Sequence, residues 1–408
     1  MKSNPNLLAL GIPLACLALT FSLAVCAQAQ KLSEHNPSSL RQLAQLTASD
    51  DNGQDNEFGY SIAMSGDTIA VGAPFAHGTF GAVYVFVKPA SGWANMTETA
   101  ILTPSTGFPF LDFGISVGVS GNTIVVGSFG NNAAYVFSRP QGGWTNMTES
   151  AVLSNDNGVA TLFGENVAID GPIIAVSEPK TFTNRGRVQV FTEPAGGWVN
   201  ATPTGRINAS DTTDYSYFGT SLSVSGSTIV VGAYGINSGT GAAYVFVQPK
   251  SGWSGSHSQT AKLTASDGRA QDLFGAAVAI NGNTVAVGAP SKKNVTGGAY
   301  VFAEPASGWK DMTETGKLSA SDIAMFDSFG IAVGVSPTKI AAGAVTSVLT
   351  SSSVYTYVEP STGWKSRLPS SEVSVAGSVG YSGSSVVISD TIMAVGASDI
   401  RVVTVFGP

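Results

Sequence analysis

All six tryptophans of this 408-residue chain occur in one dipeptide, Gly-Trp, at Trp93, Trp144, Trp198, Trp253, Trp309 and Trp364, at intervals of 51, 54, 55, 56 and 55 residues. A period near 50 residues marks a propeller or solenoid, in which no unit can bury its apolar face alone and each must stack on copies of itself.

Each period carries the same pieces. In the fourth, Phe218-Gly219 precedes Ser221-Leu222-Ser223-Val224, then Ser225-Gly226, then Thr228-Ile229-Val230-Val231-Gly232-Ala233. A variable loop leads to Ala243-Tyr244-Val245-Phe246, Gly252-Trp253 and Ala261-Lys262-Leu263-Thr264-Ala265-Ser266-Asp267. Short runs of Val, Ile, Tyr, Phe and Thr bounded by Gly, Pro, Ser and Asn read as strands, and no segment shows a helical period. A repeated two-residue turn (Ser65-Gly66, Ser120-Gly121, Asp170-Gly171, Ser225-Gly226, Asn281-Gly282) supplies glycine where a tight hairpin needs positive φ.

Four antiparallel strands arrayed about an axis make a β-propeller blade. Phe58-Gly59, Phe113-Gly114, Phe163-Gly164, Phe218-Gly219, Phe274-Gly275 and Phe329-Gly330 open six repeats, and Val379-Gly380 opens a degenerate seventh that lacks a Gly-Trp and a fourth strand. Leu43-Ala44-Gln45-Leu46-Thr47-Ala48-Ser49-Asp50 matches the missing strand. The expectation is an all-β, seven-bladed β-propeller over residues 42–408, of four-stranded antiparallel blades, closed by the N-terminal strand so that no edge is left open.

The Phe-Gly starts, the runs Val71-Gly72-Ala73-Pro74 and Val287-Gly288-Ala289-Pro290, and the Ala-Tyr-Val-Phe strand resemble FG-GAP repeats, which build the N-terminal propeller of integrin α subunits and of many secreted proteins. The resemblance implies a propeller at or beyond the cell surface, used to bind other molecules. Calcium loops of the integrin type follow Asp-x-Asp-x-Asp-Gly spacing, a cage of hard oxygens, and no Asp-x-Asp occurs here. The nearest approaches are Asp50-Asp51-Asn52-Gly53 with Asp55, and Asn155-Asp156-Asn157-Gly158. They read as turns in which Asp and Asn bond their own backbone, with Ca²⁺ as the lesser alternative, so no cofactor is expected.

Residues 1–29 read as a signal peptide: Lys2, an apolar run from Leu7 to Val25, and Ala27-Gln28-Ala29 as cleavage site. Residues 30–41 read as a flexible lead-in. Both cysteines, Cys16 and Cys26, fall in the leader; Leu23-Ala24-Val25-Cys26 resembles a lipoprotein box but has Val25 where a small residue is usual, leaving lipid anchoring as the lesser alternative. No later segment is long and apolar enough to read as a transmembrane helix. Loss of Lys2 with the leader takes the net charge from −7 to −8, which disfavours nucleic acid and anionic membranes as partners.

Catalytic signatures are weak. Gly114-Ile115-Ser116-Val117-Gly118 matches a nucleophile elbow, but that elbow needs a strand-to-helix turn, and Ser116 sits in a register that reads Ser61, Asn166, Ser221, Ala277 and Ala332 elsewhere. It is read as a strand residue. His35, His77 and His257 lack metal-ligand spacing. The recurring Trp and Phe are assigned to the core between blades. Sequons at Asn95, Asn146, Asn200, Asn208 and Asn294 include a repeated Asn-Met-Thr-Glu turn that recurs as Asp311-Met312-Thr313-Glu314, so structural recurrence explains them as well as glycosylation does.

The functional expectation is a secreted or cell-surface binding and adhesion protein. It would recognise an extracellular protein or glycan, without catalysis, through loops that vary between blades, 75–81, 180–187, 234–241 and 291–297 together with the segments preceding each Phe-Gly, where changes such as Tyr234→Ala or removal of Lys292-Lys293 would weaken binding, the contact residues themselves being unknown. The alternative is an extracellular polysaccharide hydrolase or lyase using acidic residues at the propeller axis.

Overall fold

The computed structural model describes residues 40–408 apart from 54–55, 107–110, 157, 159–160, 321, 346–350 and 377–385. The expected leader and most of the lead-in therefore lie outside the described residues, as do Asp55 and Val379-Gly380.

Seven antiparallel sheets follow one another along the chain. The first comprises Ser61–Ser65, Thr68–Ala73, Ala82–Val87 and Ala100–Leu102, ordered from inner to outer strand. The same order repeats with inner strands Ser116–Ser120, Val167–Asp170, Ser221–Ser225, Ala277–Asn281, Ala332–Val335 and Val386–Ile388. Successive inner strands touch, and Val386–Ile388 touches Ser61–Ser65, so the array is a closed ring. The seventh sheet ends on Arg41–Thr47, which pairs antiparallel with Val402–Gly407 in the register Arg41↔Gly407 and Leu46↔Val403, with an irregularity between Gln42 and Ala44. The N-terminal strand thus closes the ring.

Two local features differ from the sequence reading. Ser65 pairs with Thr68, so the hairpin turn is Gly66-Asp67, one residue later than expected. Gly66 has φ 56° while Asp67 is not left-handed, the combination a type II′ turn requires. The variable connections between second and third strands curl into single turns carrying left-handed non-glycine residues, such as Phe182 and Thr183 at φ 52° and 58°. Isolated turns of this kind carry no helical periodicity for a sequence to display.

Seven apolar clusters lie at the seven blade-to-blade seams. Phe113, for example, packs edge-on against Tyr135 and Phe137 at centroid distances of 5.4 and 6.0 Å, in a cluster that also holds Val83 and Val85 of the first blade and Trp144. Each of the six tryptophans belongs to such a seam, as expected of residues able to bury on the order of 150–250 Å² apiece.

At the axial side of five seams, among the described residues, two glycines meet. A β-carbon on Gly72 would overlap the carbonyl oxygen of Gly114 in the next blade, and one on Gly232 would overlap that of Gly275. The same carbonyls accept hydroxyl bonds from the inner-strand serines: Ser61 Oγ donates to Gly114 O at 2.8 Å and Ser221 Oγ to Gly275 O at 2.8 Å. In the third blade Asn166 Nδ2 takes over, donating to Gly219 O at 3.1 Å.

The rim is stitched by the segment after each Gly-Trp, which crosses back to run parallel to the outer strand of the preceding blade. Met96 and Thr97 pair with Leu46 and Thr47, and Met312 and Thr313 with Leu263 and Thr264. Side chains complete this clasp: Asn95 Oδ1 accepts from Gln45 N at 2.9 Å, Asn146 Oδ1 from Ile101 N at 2.8 Å, and Asp311 Oδ1 from Lys262 N at 2.8 Å. Glu314 accepts the Ser266 amide at 2.8 Å and its hydroxyl at 2.6 Å. The Asn-Met-Thr-Glu recurrence is therefore an inter-blade device, and Asn95, Asn146 and Asn200 remain exposed.

Two outcomes follow from this packing. Gly232→Ala, which forces a methyl group against backbone that cannot rotate away, is expected to destabilise the ring by about 1–3 kcal/mol or more, read as a lowered Tm, while Ser225→Ala at the adjacent hairpin costs far less. Deleting residues 41–47 leaves Val402–Gly407 as an open edge; aggregation on gentle heating, seen by light scattering, is expected, and unchanged solution behaviour would contradict closure by this strand.

Candidate functional site

Strand direction divides the loops between the two ends of the ring. The connections from second to third strand and from outer strand to the next inner strand lie at one end; the hairpins and the Gly-Trp segments lie at the other. The exposed aromatic residues among the described ones, Phe75, Phe80, Phe182, Tyr215 and Phe326, all belong to the first end, joined there by Met325 and Ile400. Phe182 and Tyr215 are the most open, at 61% and 58% exposed, and the backbone links their loops through Tyr215 N to Thr183 O at 3.0 Å and Tyr217 N to Asn184 O at 2.8 Å. Beside them Tyr217 and Tyr234 stack at 4.9 Å with planes 14° apart. Aromatic side chains give large, rigid contact area at low entropic cost, which is why they concentrate at recognition surfaces.

A cavity of about 490 Å³ runs along the axis, lined by all seven inner strands. Its walls present Met64, Val119, Ile169, Val224, Ile280 and Ile388, and among the described lining residues the carboxylate is Glu165, close to Tyr234. Burial pushes the Glu165 carboxyl above the usual range, opposed by Lys180, whose ammonium lies 3.3 Å away. Among the described lining residues the axis holds one carboxylate; acid–base hydrolysis of a glycosidic bond uses two.

A second set of carboxylates lies at the seams, on the loops that leave the outer strands. Asp50 accepts from Tyr84 Oη at 2.8 Å and meets His77 Nε2 at 2.6 Å. Asp211 accepts from Tyr244 Oη at 2.7 Å and Lys262 Nζ at 2.5 Å. Asp267 accepts from Tyr300 Oη, Lys292 Nζ and Lys317 Nζ, each at 2.9 Å. In the third blade, Gln189 stands where the tyrosine would be, and buried Glu178 accepts from Arg187 Nε at 2.6 Å while Asp156 pairs with Arg187 and Arg206. Partial burial works against the Asp267 charge, but the hydrogen bonds from Lys292, Lys317 and Tyr300 outweigh it and hold the carboxyl well below its ordinary value. Asp211 is lowered in the same way by Lys262 and Tyr244, against its burial. The tyrosine hydroxyls are driven up by burial and by the facing carboxylates. Sequence reasoning placed Asp267 at a strand end and Asp50 in a turn, and did not single out Asp211; the signal it passed over is that each lies 33 or 34 residues before a third-strand Tyr.

The residues singled out from the sequence fall as follows. Ser116 begins an inner strand, buried, and its Oγ accepts from Val167 N of the next blade at 3.0 Å, a seam contact rather than an exposed nucleophile. Asp51 Oδ1 accepts from Gly53 N at 3.0 Å and Oδ2 from Arg401 Nε at 3.1 Å; Asn155 Oδ1 accepts from Gly158 N at 3.1 Å. Both are turns that bond their own backbone. Among the described residues no group of three or more His, Cys, Asp or Glu is placed to hold a metal ion. His257 sits edge-on to Trp253 at 5.4 Å, while His77 is held by Asp50. Lys292, in one of the variable loops, is 6% exposed and committed to Asp267 and Asp272, because a long stem lets a seam residue reach two buried-edge carboxylates.

A closed ring of seven four-stranded antiparallel blades defines a seven-bladed β-propeller. The FG-GAP repeat family model matches residues 40–86, 96–137, 202–246 and 257–302, so the chain carries FG-GAP repeats in four of its blades. The third blade, which places Ser177 and Gln189 at positions held by glycine and tyrosine in the first, second, fourth and fifth blades, falls largely between the matched segments. No curated protein matches the chain. Among solved structures, Kuenenia stuttgartiensis hydrazine synthase superposes with a TM-score of 0.53 at 12% identity, covering 88% of this chain and 98% of that one. Chaetomium thermophilum Sqt1 follows at a TM-score of 0.43 and 15% identity, covering 78% and 72%. The likeness to the first is one of fold.

Asp267→Asn should lower stability at pH 7 by roughly 1 kcal/mol, a modest figure because the carboxylate is 41% exposed and screened by solvent. Since the folded-state pKa is depressed, the contribution exists above the ordinary carboxylate pKa and is lost as pH falls through and below it. The Tm gap between wild type and variant should therefore close in strong acid; a gap independent of pH would contradict the ion-pair assignment.

Proposed function

We propose that this chain is a non-catalytic binding module, secreted or displayed at the cell surface, that recognises an extracellular protein or glycan through the loop end of its propeller. The observation that carries the reading is the confinement of the exposed aromatic side chains to that end, densest where Phe182 and Tyr215 stand beside the Tyr217–Tyr234 stack. A monomeric surface rarely leaves such side chains clustered without a use. The apolar stretch and small-residue site in residues 1–29 support export, and the acidic balance supports a partner other than nucleic acid.

The test is an array of glycans and extracellular proteins probed with the purified chain, followed by Phe182→Ala and Tyr215→Ala on each hit. At least a tenfold loss of affinity, about 1.4 kcal/mol, is expected with the Tm unchanged. Hits that ignore both substitutions, or an array without hits, would defeat the assignment of this face. Release of sugar ends that stops in Glu165→Gln would instead make the protein a hydrolase.

A further inference from the structure

The seam carboxylates form a series, and one member breaks the pattern. In the fourth and fifth blades the outer-strand residue paired with the tyrosine is a cation, Lys262 opposite Tyr244 and Lys317 opposite Tyr300, and each ammonium meets the seam Asp. In the third blade Arg206, opposite Gln189, meets Asp156. In the first blade, where Ile101 stands opposite Tyr84, His77 supplies the contact to Asp50.

In the sixth blade the seam residue is Asp322, which accepts from Tyr355 Oη at 3.0 Å, and the outer-strand residue opposite Tyr355 is Glu372. A carboxylate occupies the place of the cation. Glu372 Oε1 accepts from Ser353 Oγ at 2.9 Å, and Tyr357 adds a further buried hydroxyl beneath the pair. Among the described residues neither Asp322 nor Glu372 forms an ion pair: the groups facing them are Tyr355 and Tyr357 of the third strand and Ser353, all uncharged at neutral pH. Asp322 also anchors the loop that presents Met325 and Phe326, both more than half exposed, at the end of the ring where the aromatic residues gather.

We propose that this junction is a proton-operated latch: protonated Glu372, standing opposite Tyr355 where the sister blades place a cation, docks the 322–328 loop against the sixth blade, and loss of that proton beside Asp322 releases the loop. Two carboxylates at one site cannot both ionise without mutual repulsion, so the first proton is retained to higher pH than either group alone would keep it. Glu372 follows this rule: burial raises its pKa first, the Ser353 hydrogen bond pulls it down, and the adjacent Asp322 raises it again. With the folded-state pKa raised, the stabilisation is complete below the ordinary carboxylate range and is lost as pH climbs through the shifted value. The sister loop at Asp267, ion-paired and shifted downward, has no such dependence in that window.

Hydrogen–deuterium exchange on the whole chain at pH 5 and pH 7.5 tests this without knowledge of any partner. Protection of residues 322–331, corrected for intrinsic exchange and divided by that of 267–276, should fall several-fold between the two conditions in the wild type. In Glu372→Gln, and in Glu372→Lys, which installs the cation of the sister blades, the ratio should stay high at both. A wild-type ratio that does not change, or a fall that persists undiminished in Glu372→Gln, would overturn the latch. Because the readout is local exchange, the latch stands or falls separately from recognition through the aromatic face.

Discussion

The ring depends on the approach of one glycine to the carbonyl of another, made at five seams among the described residues. Gly72 lies against Gly114 O, Gly232 against Gly275 O, and the clearance admits only hydrogen. That contact sets the spacing between inner strands, and the spacing determines how Phe113 reaches Tyr135 and Phe137 and how the post-tryptophan segment reaches the preceding outer strand. Where the pattern lapses, compensation is local. In the third blade Ser177 replaces the glycine of the second strand, and its Oγ accepts from Asn166 N at 3.1 Å while Asn166 spans the seam.

Much of the architecture was legible because it repeats. A position filled alike in six blades announces a shared physical demand, and the demand on Phe, Gly and Trp is steric, so residue identity reports it directly. The closing strand was legible for the same reason, Leu43 to Asp50 being a displaced copy of a known piece. The hairpin register was missed by one residue because Ser-Gly and Gly-Asp are both acceptable turn dipeptides, and only cross-strand pairing separates them.

The loop end was legible only in outline. Variation between blades located it, but nothing in the order of residues distinguishes Lys292, drawn under Tyr300 and between two carboxylates, from an exposed loop lysine. Nor does order alone reveal that Asp267 and Tyr300 face each other across a seam. Polar partnerships of this kind join residues about 33 apart, well beyond any local motif, and become visible only when the repeats are aligned and their outward positions compared.

The closing strand also bears on how such a ring can be made. Arg41–Thr47 pairs antiparallel with Val402–Gly407, so the earliest of the described strands completes its ladder only with the latest. At synthesis rates of about 5–20 residues per second, that antiparallel edge waits on the order of 20–70 s, although Leu46 can already pair with Met96 and pack with Phe58 and Ile69 of the first blade. Six blades can stack as they emerge, because each needs only its neighbour. The seventh cannot exist until the two ends of the described chain meet, which makes ring closure a single late event of very high contact order. A chain in transit is therefore most exposed to mispairing through this strand, and whatever shields it before closure governs the yield of folded protein.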